Sequence, residues 1–401
     1  MTIDVINKTA PKDWQRVKLG DISRISNGRT NAQDAVVDGA YPLFDRSINT
    51  KKSNKYLFDG TAIILPGEGA EFIPRFYSGK FDLHQRAYAI FPNEKTDPRF
   101  LFQYLHANRS IFAKNAVGST VKSLRLPIMQ AVPVILPPIY EQKKIGEILS
   151  TVDNEIQKVD EIITATEKLK GRLMLDLFTK GIGHTKFKKS RIGEIPEEWD
   201  VITIKEASVE LIDGDRGVNY PKLLDFSSEG YCLFLSNKNI KEDKFLFLES
   251  QFISEDKDAS LRKGKLQKYD VVLTTRGTVG NVAFYDDEVP FKNIRINSGM
   301  LLLRASGRLN HAYLYHLMKS PLLKKKYAEM ASGSAQPQLP IRSLEHIFLP
   351  IPPEKEQRKI VEISVSFDAK ITNARRIREK LSLLKEGLMQ DLLSGKVRIN
   401  V

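Results

Sequence analysis

Cysteine is almost missing: Cys232 is the only one in 401 residues. One thiol can build neither a disulfide framework within the chain nor a cysteine-based zinc site, and such usage suits a reducing cytoplasm. Long hydrophobic runs are missing too. No stretch approaches the roughly 18 apolar residues of a membrane span, and residues 1–10 are polar, unlike a signal segment. The six histidines are scattered. The nearest two, His311 and His316, are five apart, off the i, i+4 spacing that puts two metal ligands on one helix face. No phosphate-binding Gly-x-x-x-x-Gly-Lys-Ser/Thr occurs, and Gly67-Glu68-Gly69 lacks the third glycine of a dinucleotide turn. Asp286-Asp287-Glu288 reads as a hydrated turn before Pro290 rather than the carboxylate cluster of a metal nuclease. No cofactor and no metal are expected, and the chain reads as non-catalytic.

Acidic residues are the remaining deficit. There are 49 against 62 Lys and Arg, a net charge of +13. That balance favours a polyanionic partner. Without a membrane element, the polyanion is expected to be nucleic acid. A hydrophobic fraction of 41% supports real cores, and the length calls for at least two domains.

The chain is written twice. Leu136-Pro137-Pro138-Ile139-Tyr140-Glu141-Gln142 returns as Ile351-Pro352-Pro353-Glu354-Lys355-Glu356-Gln357, an offset of 215 (356 − 141). The match runs on without a gap: Gly118-Ser119 falls on Gly333-Ser334, and Ile145, Ile148, Asp153, Ile156, Met174, Asp176 and Leu177 fall on Ile360, Ile363, Asp368, Ile371, Met389, Asp391 and Leu392. The openings correspond at a different offset, Trp14 with Trp199, or 185 (199 − 14). Matching ends with divergent middles describe one scaffold carrying two different surfaces.

Each copy opens with a strand-rich part. Residues 62–67, 87–92, 270–273 and 300–303 are short apolar runs closed by turns, and short helices are expected at 99–107 and 312–318. Each copy closes with a long helix. The proline pairs permit a helix to begin but not to pass through them. Beyond them apolar residues recur at steps of three and four from Ile145 to Leu177 and from Ile360 to Leu392, with Thr166 and Lys170 as breaks. Gly181 and Gly395 sit where helix stops belong. The fold class is therefore α+β. Two similar globular domains, each a mixed β-sheet with short helices, are expected to be separated by two long helices that pair as an antiparallel coiled coil, with an internal pseudo-two-fold repeat. The expected boundaries are 1–139 for the first domain, 140–181 for the central helix, 182–195 for a basic linker, 196–354 for the second domain and 355–401 for the C-terminal helix.

This arrangement resembles the DNA specificity subunit of type I restriction–modification systems. The resemblance rests on Gly118-Ser119-Thr120, Leu136-Pro137-Pro138 and Glu141-Gln142-Lys143-Lys144-Ile145, with their second copies Gly333-Ser334-Ala335, Ile351-Pro352-Pro353 and Glu356-Gln357-Arg358-Lys359-Ile360. It covers essentially the whole chain. It implies a bacterial defence protein whose two domains each read half of a split double-stranded DNA target. The helices would set the unread spacer and dock two modification (methyltransferase) subunits, with restriction (motor and nuclease) subunits joining through the complex.

Base edges are read by Arg or Lys at guanine and by Asn or Gln at adenine. By residue type and position beside turns, the candidate DNA contacts in the first domain are Asn27, Arg29, Asn31, Arg75, Gln85 and Arg86. In the second they are Arg216, Asn219, Lys238, Asn239, Arg276, Arg295 and Asn297. The loops 118–124 and 333–339 occupy a fixed place with varied chemistry, and add Thr120, Lys122, Gln336 and Gln338. The rival reading is a coiled-coil scaffold with two protein-binding heads, which the charge and the amide-rich turns oppose.

Overall fold

The computed structural model describes residues 11–331 and 337–399. They form two compact units. One holds residues up to Ile162 together with those from Ala374 onward, and the other holds Ile163–Asn373. Each unit therefore contains one strand-rich domain and a half of each long helix.

In the first unit six strands form one sheet in the order Ser23–Asn27, Ala87–Pro92, Phe58–Pro66, Arg75–Leu83, Tyr41–Phe44 and Lys51–Ser53. It is mixed, because Tyr41–Phe44 runs parallel to Arg75–Leu83. The apolar run in Phe58–Pro66 is uninterrupted because both sheet faces are covered. Ile63 and Leu65 point into a core with Trp14, Phe100 and Tyr104, whereas Ala62 and Ile64 face Phe44 and Phe81. The second unit repeats the device with four strands in the order Glu210–Asp213, Met300–Arg304, Val271–Thr274 and Val282–Phe284. Val271 and Leu273 face one core and Val272 the other. A separate three-stranded sheet, Phe252–Ile253, Cys232–Leu235 and Ile294–Ile296, has one parallel pairing. The short helices lie at Pro98–Ala107 and His311–Met318. The segment expected as a basic linker contains a hairpin, Phe187–Ser190 paired with Gly193–Pro196.

The repeat holds at the level of register. Gln15 pairs with Leu136 across an antiparallel two-stranded ribbon, and Asp200 pairs with Ile351 in the other copy. These pairs are related by the same two offsets seen in the sequence. Each ribbon leads through the proline pair into a long helix, Ile139–Thr179 or Glu354–Leu393. Gly181 and Gly395 lie just past their ends at φ +66° and +71°, a backbone region that favours glycine.

The Glu-Gln pair after each proline pair closes the scaffold. The Gln142 carboxamide is buried; its oxygen accepts from the Asp97 N–H at 2.9 Å, and its NH2 donates to the carbonyls of Lys95 and Pro137 at 3.2 and 2.8 Å. Gln357 repeats this with the Asn310 N–H and the carbonyls of Arg308 and Pro352, at 2.8, 3.2 and 2.9 Å. Asp97 and Asn310 are the N-caps of the two short helices. One glutamine thus ties the start of each long helix to the start of the helix beside it.

The glutamates hold the chain that emerges from the opposite long helix. Glu141 accepts from Arg398, whose guanidinium also grips Asp13 at 3.0 and 2.7 Å. Glu356 accepts from the Ile182 N–H at 2.8 Å and from Trp199 Nε1 at 2.9 Å, and meets His184 Nε2 at 2.9 Å. His184 and Arg398 lie three residues beyond Gly181 and Gly395, so they are equivalent partners of equivalent carboxylates.

The long helices pair antiparallel within each unit. In the first, Lys385 meets Asp153 at 2.6 Å and Arg378 meets Asp160 at 3.2 Å. Seven residues forward on one helix correspond to seven back on the other. In the second, Lys170 meets Asp368 at 2.5 Å. The 215 offset carries Asp153 to Asp368 and Lys170 to Lys385, so the two ion pairs exchange roles between the copies. Lys170 is thus an inward-facing ion-pair member where the apolar periodicity breaks. Asp153→Lys is expected to cost about 1–2 kcal/mol, an estimate kept small because the aspartate is about a third exposed. Adding Lys385→Asp should recover the ion-pair share of that loss in chemical denaturation, though not the bond that Gln103 Nε2 gives to Asp153. Additive losses in the double variant would count against the pairing.

Candidate nucleic-acid interface

The domain loops are set by strand ends. In the first domain Gly28 presses against the backbone of Leu83, where a Cβ would lie 1.9 Å from a carbonyl oxygen. The Arg29 N–H donates to Leu83 O and the Gln85 N–H to Thr30 O, which lays loop 28–31 beside loop 84–86. Gln85 Nε2 then donates to Asn31 Oδ1 at 2.7 Å. Beneath them the Asp82 carboxylate accepts from Thr30 Oγ1 and Ser53 Oγ, both at 2.8 Å. Arg75 stacks on Phe44 and donates to Asp45 O at 2.7 Å, pinning the next loop. Asp45 is held below the usual carboxylate range: burial opposes this, but Lys51 at 2.8 Å and two bonds from Ser47 outweigh it.

A third element crosses these loops. The Gly67 N–H donates to Arg86 O, the Leu124 N–H donates to Gly67 O at 2.8 Å, and Glu68 bridges to Ser123. Equivalent bonds recur in the second domain. Thr275 N–H donates to Gly299 O, Leu339 N–H donates to Thr275 O at 2.8 Å, and Arg276 bridges to Gln338. Residues 123–124 and 338–339 therefore dock on the same strand end in the two copies, Ser123 matching Gln338 and Glu68 matching Arg276. Thr120 and Lys122 stand exposed on that loop. Gln338 is exposed as well, while Gln336 lies outside the described residues.

Around Arg276 the second domain gathers further polar loops. Gly214 packs against the Asn297 carbonyl, Arg216 reaches Asp213 at 3.0 Å and the Ser298 carbonyl at 3.3 Å, and Asn237 Nδ2 donates to the Arg276 carbonyl. Asn297 Oδ1 accepts from the Gly299 N–H, and Asn219 Nδ2 donates to Ser260 O. Asp215 anchors the neighbouring loop by accepting from the N–H groups of Gly217 and Arg262. Arg276 is exposed, and its guanidinium makes no hydrogen bond or ion pair among the described residues. Lys238 is exposed and pairs with Glu249 at 2.7 Å.

Two expected contacts do not belong to this surface. Arg295 is 5% exposed on a core strand. It is ion-paired with Asp258, and its other nitrogens donate to the carbonyls of Lys263, Asp258 and Leu261, leaving little for a base. Asn239 is 1% exposed; its oxygen accepts from Ser236 and its NH2 donates to the carbonyls of Leu246 and Glu249. Both residue types suit base edges, but here they stitch loops together.

Other residues, Arg46, Glu68, Arg262 and Lys263, escape a reading by type and turn position. Arg46 and Arg86 share one buried carboxylate, Glu68, at 3.2 and 2.5 Å, while both guanidinium side chains are about 60% exposed. Arg262 and Lys263 stand exposed beside Asp215. Among the described residues no cluster of three or more His, Cys, Asp or Glu is arranged to hold a metal, and no helix is long and apolar enough to cross a membrane.

Duplicated α+β domains with cationic, amide-bearing loops, each joined to two long helices, are what a two-headed DNA reader requires. Residues 11–167 and 196–383 each match the type I restriction modification DNA specificity domain, and the chain belongs to that family. It is 29% identical over 97% of its length to the type I restriction enzyme MjaVIII specificity subunit of Methanocaldococcus jannaschii, covering 94% of that protein. It is 32% identical to the EcoDI specificity subunit of Escherichia coli over 47% of this chain and 40% of that one. The fold matches the crystal structure of the S subunit from M. genitalium with a TM-score of 0.63 at 15% identity, covering 97% and 96% of the two chains. The protein is a specificity subunit with two recognition domains, the non-catalytic, target-choosing part of a restriction–modification complex.

Proposed function

We propose that each recognition domain reads one half of a bipartite double-stranded DNA target. The paired helices set the unread spacer and dock two modification subunits at equivalent places, and restriction subunits join through that complex, in the cytoplasm. The observation that carries this is the chemistry of equivalent positions. Scaffold contacts repeat bond for bond at Gln142 and Gln357, while the loop positions differ: Glu68 against Arg276, and Ser123 against Gln338. A surface meant for one shared protein partner would not vary where the scaffold is held constant. Arg29, Arg86, Lys122, Lys263 and Arg276 stand exposed on these loops, so phosphate contacts would supply affinity and base contacts selectivity.

The test is a methylation map. The chain is co-expressed with its modification subunit in a host without methylation, and the modified bases are sequenced. The expected result is a split motif with a fixed gap, one half of which changes when residues 198–345 are exchanged for those of another specificity subunit. A stable complex with an active partner but no chain-dependent motif would favour the protein-binding scaffold.

A further inference from the structure

The Gly67-Glu68-Gly69 turn is too short of glycines for a nucleotide, and the structure gives it other work. We propose that Glu68 is a positioning residue for base reading in the first recognition domain, aiming Arg46 and Arg86 together at guanine edges of neighbouring base pairs. This rests on the reading of that domain as one half-site reader.

Glu68 lies in the turn that bonds to both Arg86 and the 118–124 loop. Its side chain is 10% exposed, and each oxygen is occupied by one arginine: Oε1 by Arg86 at 2.5 Å and Oε2 by Arg46 at 3.2 Å. The arginine side chains themselves are 59% and 61% exposed. A guanidinium has five N–H donors, and only Nη1 of each meets Glu68. The remaining donors stay open to solvent, enough for the two-bond contact to guanine O6 and N7. Two free arginines would repel each other and sample many rotamers. A single buried carboxylate between them offsets the repulsion and restricts both, so less ordering remains when DNA binds. The local net charge stays positive, as a phosphate-rich partner requires. His84 is beside them with its imidazole pKa lowered, burial being the chief cause with Arg46 and Arg86 adding to it. Its Nδ1 accepts from the Arg86 N–H at 3.1 Å, which steadies the loop without adding charge.

The repeat supports the assignment independently. The position equivalent to Glu68 is Arg276, set by the same pair of backbone bonds and the same bridge to the variable loop. One copy presents an arginine directly from this strand end. The other presents two arginines through a glutamate. The site is the same and the chemistry of reading differs, as expected where two half-targets differ.

The test uses the whole chain with its modification subunit and compares methylation maps for the native chain, Glu68→Gln, Arg46→Gln and Arg86→Gln. With Glu68→Gln, discrimination at one or two guanines of the first half should fall about 10- to 100-fold, while the second half and the gap stay unchanged. Each arginine variant should relax one of those same positions. The first-half motif surviving intact in all three variants would overturn the proposal. So would equal loss at both halves with a lowered melting temperature, which marks a merely structural carboxylate. A native map with no split motif would instead remove the underlying reading of the domain.

Discussion

Gln142→Leu is expected to destabilise the first unit by about 3–5 kcal/mol, and Gln357→Leu the second by a similar amount. Each leucine would fill most of the space but leave one N–H and two carbonyls without their partner. For Gln142 these are the Asp97 N–H and the carbonyls of Lys95 and Pro137. Each buried group left unpaired costs about 1–3 kcal/mol, and the groups lie where a capped helix, a ribbon and a long helix meet. Gln142→Glu should also be costly. It keeps the acceptor for Asp97 but turns a carboxylate toward two carbonyls. The loss is read from hydrogen–deuterium exchange of each unit separately, because two units need not unfold as one. Faster exchange in the ribbon Gln15–Lys18 with Pro133–Leu136 should follow the first substitution, and in Asp200–Thr203 with Phe348–Ile351 the second. A loss below about 1 kcal/mol in both would show that the repeated glutamine is not what closes the scaffold.

Acid should weaken the second unit well before carboxylates titrate. His316 is buried on His311–Met318 with Nδ1 2.7 Å from Ser364 Oγ. Burial, aided by the nearby charges of Lys319 and Lys170 and opposed by Asp368, pushes its pKa down to about 3. In the unfolded chain it returns to about 6.5. Between these values the unfolded state binds a proton that the folded state does not. Stability therefore falls as pH drops below about 6.5, by about 1.4 kcal/mol per pH unit, or about 2 kcal/mol by pH 5. Asp368 acts lower down. Burial tends to raise its pKa, but Lys319 and Lys170 outweigh that and hold it below the usual 3.8, so its contribution is lost only as pH falls below that value. His316→Gln should flatten the stability profile of the second unit between pH 6.5 and 4.5. Glutamine is what the first copy carries at the matching position, Gln103, which bonds to Asp153 at 2.6 Å. An unchanged slope in the variant would assign the acid sensitivity to another group.

The strands, the two long helices and the repeat were legible in the order of residues, because each follows from local rules. Continuous apolar runs such as Ala62 to Leu65 fill a sheet covered on both faces. Proline pairs open helices, and Gly181 and Gly395 end them. The candidate site was legible only in part. Arg29, Arg86, Lys122, Arg216, Arg276 and Gln338 do lie on exposed loops. Arg295 and Asn239 have the same chemistry and sit beside the same kinds of turn, yet the core consumes their hydrogen bonds.

By itself the sequence determined a duplicated α+β scaffold with a cationic surface, since periodicity, helix stops and net charge act between near neighbours or over the whole chain. Only the tertiary structure decided which charges face each other. Lys170 reads as a flaw in an apolar seam until Asp368, 198 residues away, is beside it. Glu68 reads as part of a weak turn until Arg46 and Arg86 close on it. Buried charge is tolerated only with a partner at hydrogen-bonding distance, and that partner is brought by chain folding, not by spacing along the sequence.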